Sequence, residues 1–358
     1  MALVNTEIIT PAEASGIVLG AYQTTRSMLP FGGILPDRNN ATGINVDWVP
    51  NAPRVQADEM PFSAWDAEAA YDRTEASVRK AYTEMLPLRK RHRVGEYDIV
   101  TGRASVDGAG DELRAAFARL GTELAYTVER ACVAVAVDGV LGVSAANMAP
   151  KWDYERDAAL TVELKAKSLW SDASADPVKD LKTWSQLVYD KDGMRPHAMI
   201  TTRKVMDVLM ANTAIMKYNY QGAAQSDMLP PFIAEDLVKV VLAQYANITD
   251  VVIIDELYED YARQQKIVLP GGEKGYFPEN TVLLLPGLGD TGIGYTALGP
   301  TGEALTAAYG IQREYNAGPV GVVHDIPSGT PGYEAYANAS ALPVLVQSNS
   351  TFKATVLS

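Results

Sequence analysis

The chain has 358 residues and a mass of 38.6 kDa, too much for one simple core, and reads as two packed subdomains. Its net charge of −13 and pI near 4.8 argue against a protein that reads DNA by gripping phosphates. No stretch approaches the roughly 20 apolar residues of a membrane span. No basic-then-apolar leader is expected, and a single cysteine, Cys132, excludes an internal disulfide framework and suits a reducing cytoplasm.

In chain order, residues 1–56 look unable to build a core of their own. Thr10 and Pro11 predict a helix start, and an amphipathic stretch runs to Met28. Beyond it Pro30, Gly32, Gly33, Pro36, Gly43, Pro50 and Pro53 break regular structure. The apolar residues Leu29, Phe31, Ile34, Leu35 and Trp48 still require a neighbour, so the segment is expected to be an extended arm lying against something else. Residues 57–103 commit to no period. They hold the basic side chains Arg79, Lys80, Arg89, Lys90, Arg91 and Arg93, read either as a solvated loop face or as a surface seeking an acidic neighbour.

Leu113, Phe117, Leu120, Leu124, Val128, Cys132 and Val135 recur at steps of three and four. They predict a helix over 112–138, about 40 Å long, closed by Gly139 and Gly142. Leu160, Val162 and Leu164 alternate with polar residues as a half-buried strand. Asp176 and Pro177 open another helix, His197–Thr201 is a strand, Thr202 starts a helix, and a further helix covers Ala234–Ala246. Strands are expected at Val251–Leu257, Thr281–Leu285, Pro343–Gln347 and Thr351–Leu357, with Gly/Pro-rich loops at 270–280, 286–302 and 327–333. Helices and strands mix without a βαβ rhythm, which makes the fold class α+β.

The chemistry-bearing patterns are weak. Gly287-Leu288-Gly289-Asp290-Thr291-Gly292 matches a dinucleotide fingerprint in letters, but Gly294, Gly299 and Pro300 argue against the helix that must follow. A nicotinamide-dependent oxidoreductase rests on that match alone. His92, His197 and His324 lack metal-ligand spacing. His324 and Asp325, adjacent on an extended segment, would face opposite ways. The carboxylates Asp255, Glu256, Glu259 and Asp260 form no ligand loop. Cys132 lies on an apolar helix face, where cysteine packs as a small hydrophobe. No enzyme activity, cofactor or metal is expected.

The order of parts is more telling: proline-broken arm, basic loop, long helix, mixed α/β region and closing strands. That order resembles the major capsid proteins of tailed phages with the Hong Kong 97-type fold. Three stretches resemble the lambda-like branch, phage major capsid protein E. They are Gly275-Tyr276-Phe277-Pro278-Glu279-Asn280 running into Thr281–Pro286, Ile200–Leu209, and the tail Leu342–Val346 with Phe352–Val356. Glu129-Arg130 also falls where that family tends to carry charged residues in its long helix.

The resemblance implies an N-terminal arm over 1–56 and an extended loop over 57–103. It implies a peripheral domain over 104–195 with the spine helix at 112–138, an axial domain over 196–335, and C-terminal strands over 336–358 returning to the peripheral domain. It implies self-assembly into an icosahedral head shell enclosing double-stranded DNA, with identical subunits as partners and with scaffolding, portal and decoration proteins besides; no membrane is involved. Leu29, Phe31 and Trp48, with Arg79, Lys80, Arg89, Lys90, Arg91 and Arg93, are the expected inter-subunit contacts. An encapsulin-like compartment would share the fold and is the alternative reading.

Overall fold

The computed structural model of the protein describes residues 4–40, 43–52, 65, 79–102, 108–143, 150–220, 230–254, 277–306, 309–311, 317–326, 329 and 332–358. Strand β1 (Val4–Asn5) leads to helix α1 (Pro11–Met28), where Pro11 fills the first turn and Thr10 Oγ1 accepts from the Glu13 amide at 3.2 Å. Helix α2 (Pro30–Ile34) and strands β2 (Asp37–Asn39) and β3 (Asn45–Trp48) follow. Strand β4 (Ala81–Glu84) pairs antiparallel with β3 and precedes β5 (Pro87–Val94) and helix α3 (Glu96–Gly102). Helix α4 (Gly108–Asp138) has 31 residues and so runs about 46 Å. It stops at Gly139, whose φ of +67° places it in the left-handed region that favours glycine.

Strands β6 (Val140–Gly142) and β7 (Lys151–Asp153) make a small ribbon ahead of β8 (Thr161–Glu163). Helix α5 (Pro177–Asp192) begins at the Asp176 cap, which accepts from the Lys179 amide at 3.1 Å, and ends at left-handed Gly193. Strand β9 (Ala198–Thr201), helices α6 (Arg203–Ala211), α7 (Thr213–Asn219) and α8 (Glu235–Val241), and strand β10 (Asp250–Ile253) come next. The helix expected over Ala234–Ala246 is α8 plus a π turn over Leu242–Ala246. The chain closes with β11 (Thr281–Leu285), β12 (Gly294–Gly299), α9 (Gly302–Leu305), β13 (Val320–Asp325), β14 (Tyr333–Leu345) and β15 (Phe352–Thr355).

Two sheets organise these elements. The first runs β1-β13-β14-β12-β2, with β5 paired to the other side of β14. Ser340 pairs with both Gly299 and Pro87, and Asn338 with both Val320 and Arg89. Strands β12 and β13 therefore share one edge of β14, and β5 takes the opposite edge. The second sheet runs β10-β9-β11-β15-β8. Its central strands are covered on both sides. Ala198, Ile200, Leu283 and Leu285 join the core that holds the second half of α4, whereas Met199, Val282 and Leu284 join the core built with α5 to α8. Burial on both faces explains why these strands read as nearly unbroken apolar runs.

Several expectations change. The loop expected at 286–302 contains β12, and β14 begins ten residues before the strand expected at Pro343. The basic run expected in a loop is strand β5. The arm expected over 1–56 is largely folded in: Ala14, Val18 and Tyr22 of α1 are fully buried. A Cβ at Gly121 would lie 2.4 Å from the Val18 carbonyl, so glycine lets α1 and α4 cross this closely. The linear division at 195 and 335 also differs from the packing. Helix α5 belongs to the second core, and β12 and β13 belong to the first sheet. The chain crosses between sheets after β11 and again after β14, which a cut along the sequence cannot register. Residues 57–64, 66–78 and 255–276, with the carboxylates Asp255 to Asp260 and the turn residues Gly275 and Tyr276, lie outside the described residues.

Candidate functional site

Four of the six basic candidates, Arg89, Lys90, Arg91 and Arg93, lie on β5, and Arg79 and Lys80 precede β4. Along β5 side chains alternate between the two faces of the first sheet. Leu88 and Val94 take the face packed on α4, and Lys90 reaches Glu123 of α4 at 2.7 Å. Arg89, Arg91 and Arg93 take the other face and are exposed. Arg91 meets Glu334 at 3.3 Å and lies 5.6 Å over the Tyr336 ring. Arg79 meets Glu155 at 2.9 Å, and Lys80 beside it is exposed. Glu123 is shared, since Arg119 also bonds it at 3.2 Å. The strand thus carries a row of cations along one edge of an acidic protein's first sheet.

The apolar candidates have a different place. Leu29 is 3% exposed, Phe31 0% and Trp48 9%, all within the subunit's own core, and the Trp48 ring lies 5.7 Å from that of Tyr154. Their apolar surface is already covered by their own chain, which leaves little to offer a neighbour. Pro30 and Gly32 turn the chain sharply enough to fold these residues back; a Cβ at Gly32 would meet the Arg26 carbonyl at 2.1 Å.

A buried polar cluster lies beneath them, of which the sequence marked Glu129 as a charged helix residue but not its partner Arg26. Arg26, in the last turn of α1, is paired with Glu129 in the middle of α4, and both are buried. Arg26 Nη2 also donates to the Leu35 carbonyl at 3.2 Å, to Thr296 Oγ1 at 3.1 Å and to Cys132 Sγ at 3.2 Å. The Phe31 amide donates to Glu129 Oε1 at 3.0 Å, and Asp37 lies 3.5 Å from Arg26 Nε. Burial pushes the Glu129 carboxyl up to about 7, against the opposing pull of Arg26 and the Phe31 amide. Burial likewise raises Asp37 and Cys132. One guanidinium so ties α1, the end of α2, α4 and β12 together. The signal was present in the sequence: Arg26 continues the Ala14, Val18, Tyr22 spacing, and Glu129 falls between Ala125 and Cys132 on the buried stripe.

The glycine motif resolves as a turn. Asp290 Oδ1 accepts from the Gly292 amide at 3.1 Å, Gly292 is left-handed, and strand β12 starts at Gly294. A strand and not a helix follows this loop in the chain, so the dinucleotide reading loses its physical basis. His324 and Asp325 diverge: the His324 ring lies 5.6 Å from that of Tyr336, whereas Asp325 accepts from Asn5 at 2.9 Å. No described helix is long and apolar enough to cross a membrane.

Comparison with known proteins places this architecture. A phage-related protein from Bordetella bronchiseptica RB50 shares it at 14% identity and a TM-score of 0.56, over 99% of this chain and 97% of its own. The putative capsid protein of a prophage of E. coli CFT073 is also 14% identical, with a TM-score of 0.54 over 99% of both chains. The capsid of cyanophage P-SCSP1u matches at 10% identity and a TM-score of 0.50, over 91% of this chain and 87% of its own. At such identities the likeness is one of fold, the Hong Kong 97-type. No curated protein matches the sequence. The profile of phage major capsid protein E, however, matches residues 61–356. The chain therefore belongs to the phage major capsid protein E family, the shell-forming structural subunits of the virion, which assemble in identical copies.

Proposed function

We propose that the protein builds the icosahedral head of a tailed bacteriophage around double-stranded DNA, in the host cytoplasm and with no catalytic role of its own. In this reading the first sheet with α1 and α4 forms the peripheral domain, α4 is the spine helix, and the second sheet with α5 to α8 forms the axial domain. The residues between β3 and β5 form the extended loop. Scaffolding, portal and decoration proteins are the further partners. The packaged DNA is held without sequence readout, since a net charge of −13 favours repulsion over adhesion.

The observation that carries the reading, beyond the family itself, is β5. Eight residues long, it pairs only with β14 among the described strands and bears Arg89, Lys90, Arg91 and Arg93. An edge strand of that length is a template for pairing, and charge limits which partner can approach. A second copy of this acidic chain supplies the complementary charge, which sets orientation more than energy, because each exposed ion pair is worth only about 0–1 kcal/mol. Arg79 and Lys80 are a second exposed basic pair, ahead of β4, whereas Leu29, Phe31 and Trp48 serve the subunit's interior. The test is electron microscopy of the chain expressed with its head partners. Closed, DNA-filled shells of uniform size are expected; a chain that stays monomeric with every partner present would sink the proposal.

A further inference from the structure

The face of the first sheet turned away from α4 carries His324, on β13, directly across from Glu334 of β14. Glu334 in turn stands across from Arg93 of β5. The His324 ring lies 5.6 Å from the Tyr336 ring, and the Arg91 guanidinium lies 5.6 Å over that same ring. His324 Nδ1 is buried and has no hydrogen-bond partner among the described residues. A neutral imidazole tolerates that state, whereas a protonated one must donate from both nitrogens. Three carboxylates act on the ring: Glu334, Glu303 of α9, and Asp325. Glu303 already accepts from Asn338 at 2.7 Å, and Asp325 from Asn5 at 2.9 Å. Strand β1 places uncharged Val4 opposite His324. Glu334, held by Arg91 at 3.3 Å, is therefore the carboxylate that a charged His324 can recruit.

We propose that His324 is an acid-operated switch for the basic surface of β5. Once protonated, it draws Glu334 to itself and releases Arg91 toward a neighbouring copy. Sheet spacing suits this exchange, since side chains directly opposite one another lie about 4.5–5.5 Å apart, so Glu334 turns between strands without a backbone shift. Burial first, and the Arg91 charge second, hold the imidazole below its ordinary value of 6.5, against the pull of the three carboxylates. The folded chain thus favours the neutral ring. The stability this contributes is complete above 6.5 and is lost as pH falls through the lowered value, so the switch acts in mild acid. The exchange itself is a property of the single subunit, and its effect on assembly rests on the reading of the chain as a shell subunit.

The test first follows His92, His197 and His324, the chain's three histidines, by NMR of the unassembled subunit between about pH 8 and pH 5. His324 is expected to titrate below 6.5, at higher pH in Arg91→Gln than in wild type, and at lower pH in Glu334→Gln. A His324 that titrates alike in all three proteins overturns the exchange. Light scattering of the full chain with its head partners, at about 0.05 M salt, then reads the consequence. Wild-type shell yield at about pH 5.5 should exceed that at about pH 7.5 roughly twofold or more, the scale of one exposed ion pair. His324→Gln should lose most of that gain, and His324→Lys, charged throughout, should show the higher yield already at the upper pH. All three proteins keep Glu129, so its titration cancels in the comparison, and thermal melting of each unassembled variant checks its fold. Equal gains in wild type and His324→Gln would overturn the role in assembly and leave the shell reading standing. A wild-type chain that forms no shells at either pH overturns both.

Discussion

Arg26 and Glu129 place opposite charges on helical stripes that otherwise carry apolar side chains. Such a pair is a weak source of stability, because desolvation offsets most of the attraction, but losing one partner strands the other. The pH dependence has a defined sign. With its folded value raised to about 7, Glu129 contributes stability that is complete below its ordinary value near 4.5 and is lost as pH rises through about 7. Arg26 is the strongest influence pulling that carboxyl down. In Arg26→Met the loss should therefore continue to higher pH. Urea unfolding should show a deficit of about 3–5 kcal/mol at pH 8 and a smaller one at pH 5. Equal deficits at the two pH values would remove the electrostatic explanation. Adding Glu129→Leu to Arg26→Met should restore most of the stability, since a packed apolar pair replaces a stranded charge.

At the scale of elements, α1 and α2 behave as part of the core. Val18, Tyr22, Phe31, Ile34 and Leu35 are each 0% exposed, and fully burying one such side chain is worth about 1.5–3 kcal/mol. Their combined removal costs roughly 8–15 kcal/mol, comparable with the whole stability of a typical domain. A chain lacking residues 1–39 is thus expected to lose cooperative thermal unfolding, whereas one lacking only residues 1–5, and with them the two-residue β1, should keep it. A sharp melting transition in the longer truncation would show that the first sheet and α4 form a core without α1. This changes the role first suggested by proline and glycine spacing. Those residues turn the segment back onto α4 and do not leave it free.

For the whole molecule, the basic edge of an acidic subunit is the feature that bears on assembly. Replacing Arg89→Glu together with Arg91→Glu should lower shell yield at about 0.05 M salt. The gap to wild type should narrow near 0.5 M, where the screening length falls to about 4 Å. Light scattering at both salt levels measures this, with thermal melting of the unassembled subunit as control for the lost Arg91–Glu334 contact. A yield that is unchanged at low salt would make the strand a solvated face only.

Period and punctuation alone made α1, α4, α5, β9 and β11 legible, because each has caps or an apolar pattern that depends on neighbours in sequence. The order of parts was enough to suggest the family. The candidate site was half legible: Arg89 to Arg93 stood out as charge, but nothing local showed that they form a strand. Small residues such as Ala335, Ala337 and Ala339 hid β14, the partner that makes β5 a strand. Whether Phe31 and Trp48 face a neighbour or their own core, and whether Arg26 meets Glu129 across 103 residues, were decided only by how the chain crosses between its two sheets. Local sequence sets helix phase and turn geometry, whereas burial depends on contacts between segments far apart along the chain.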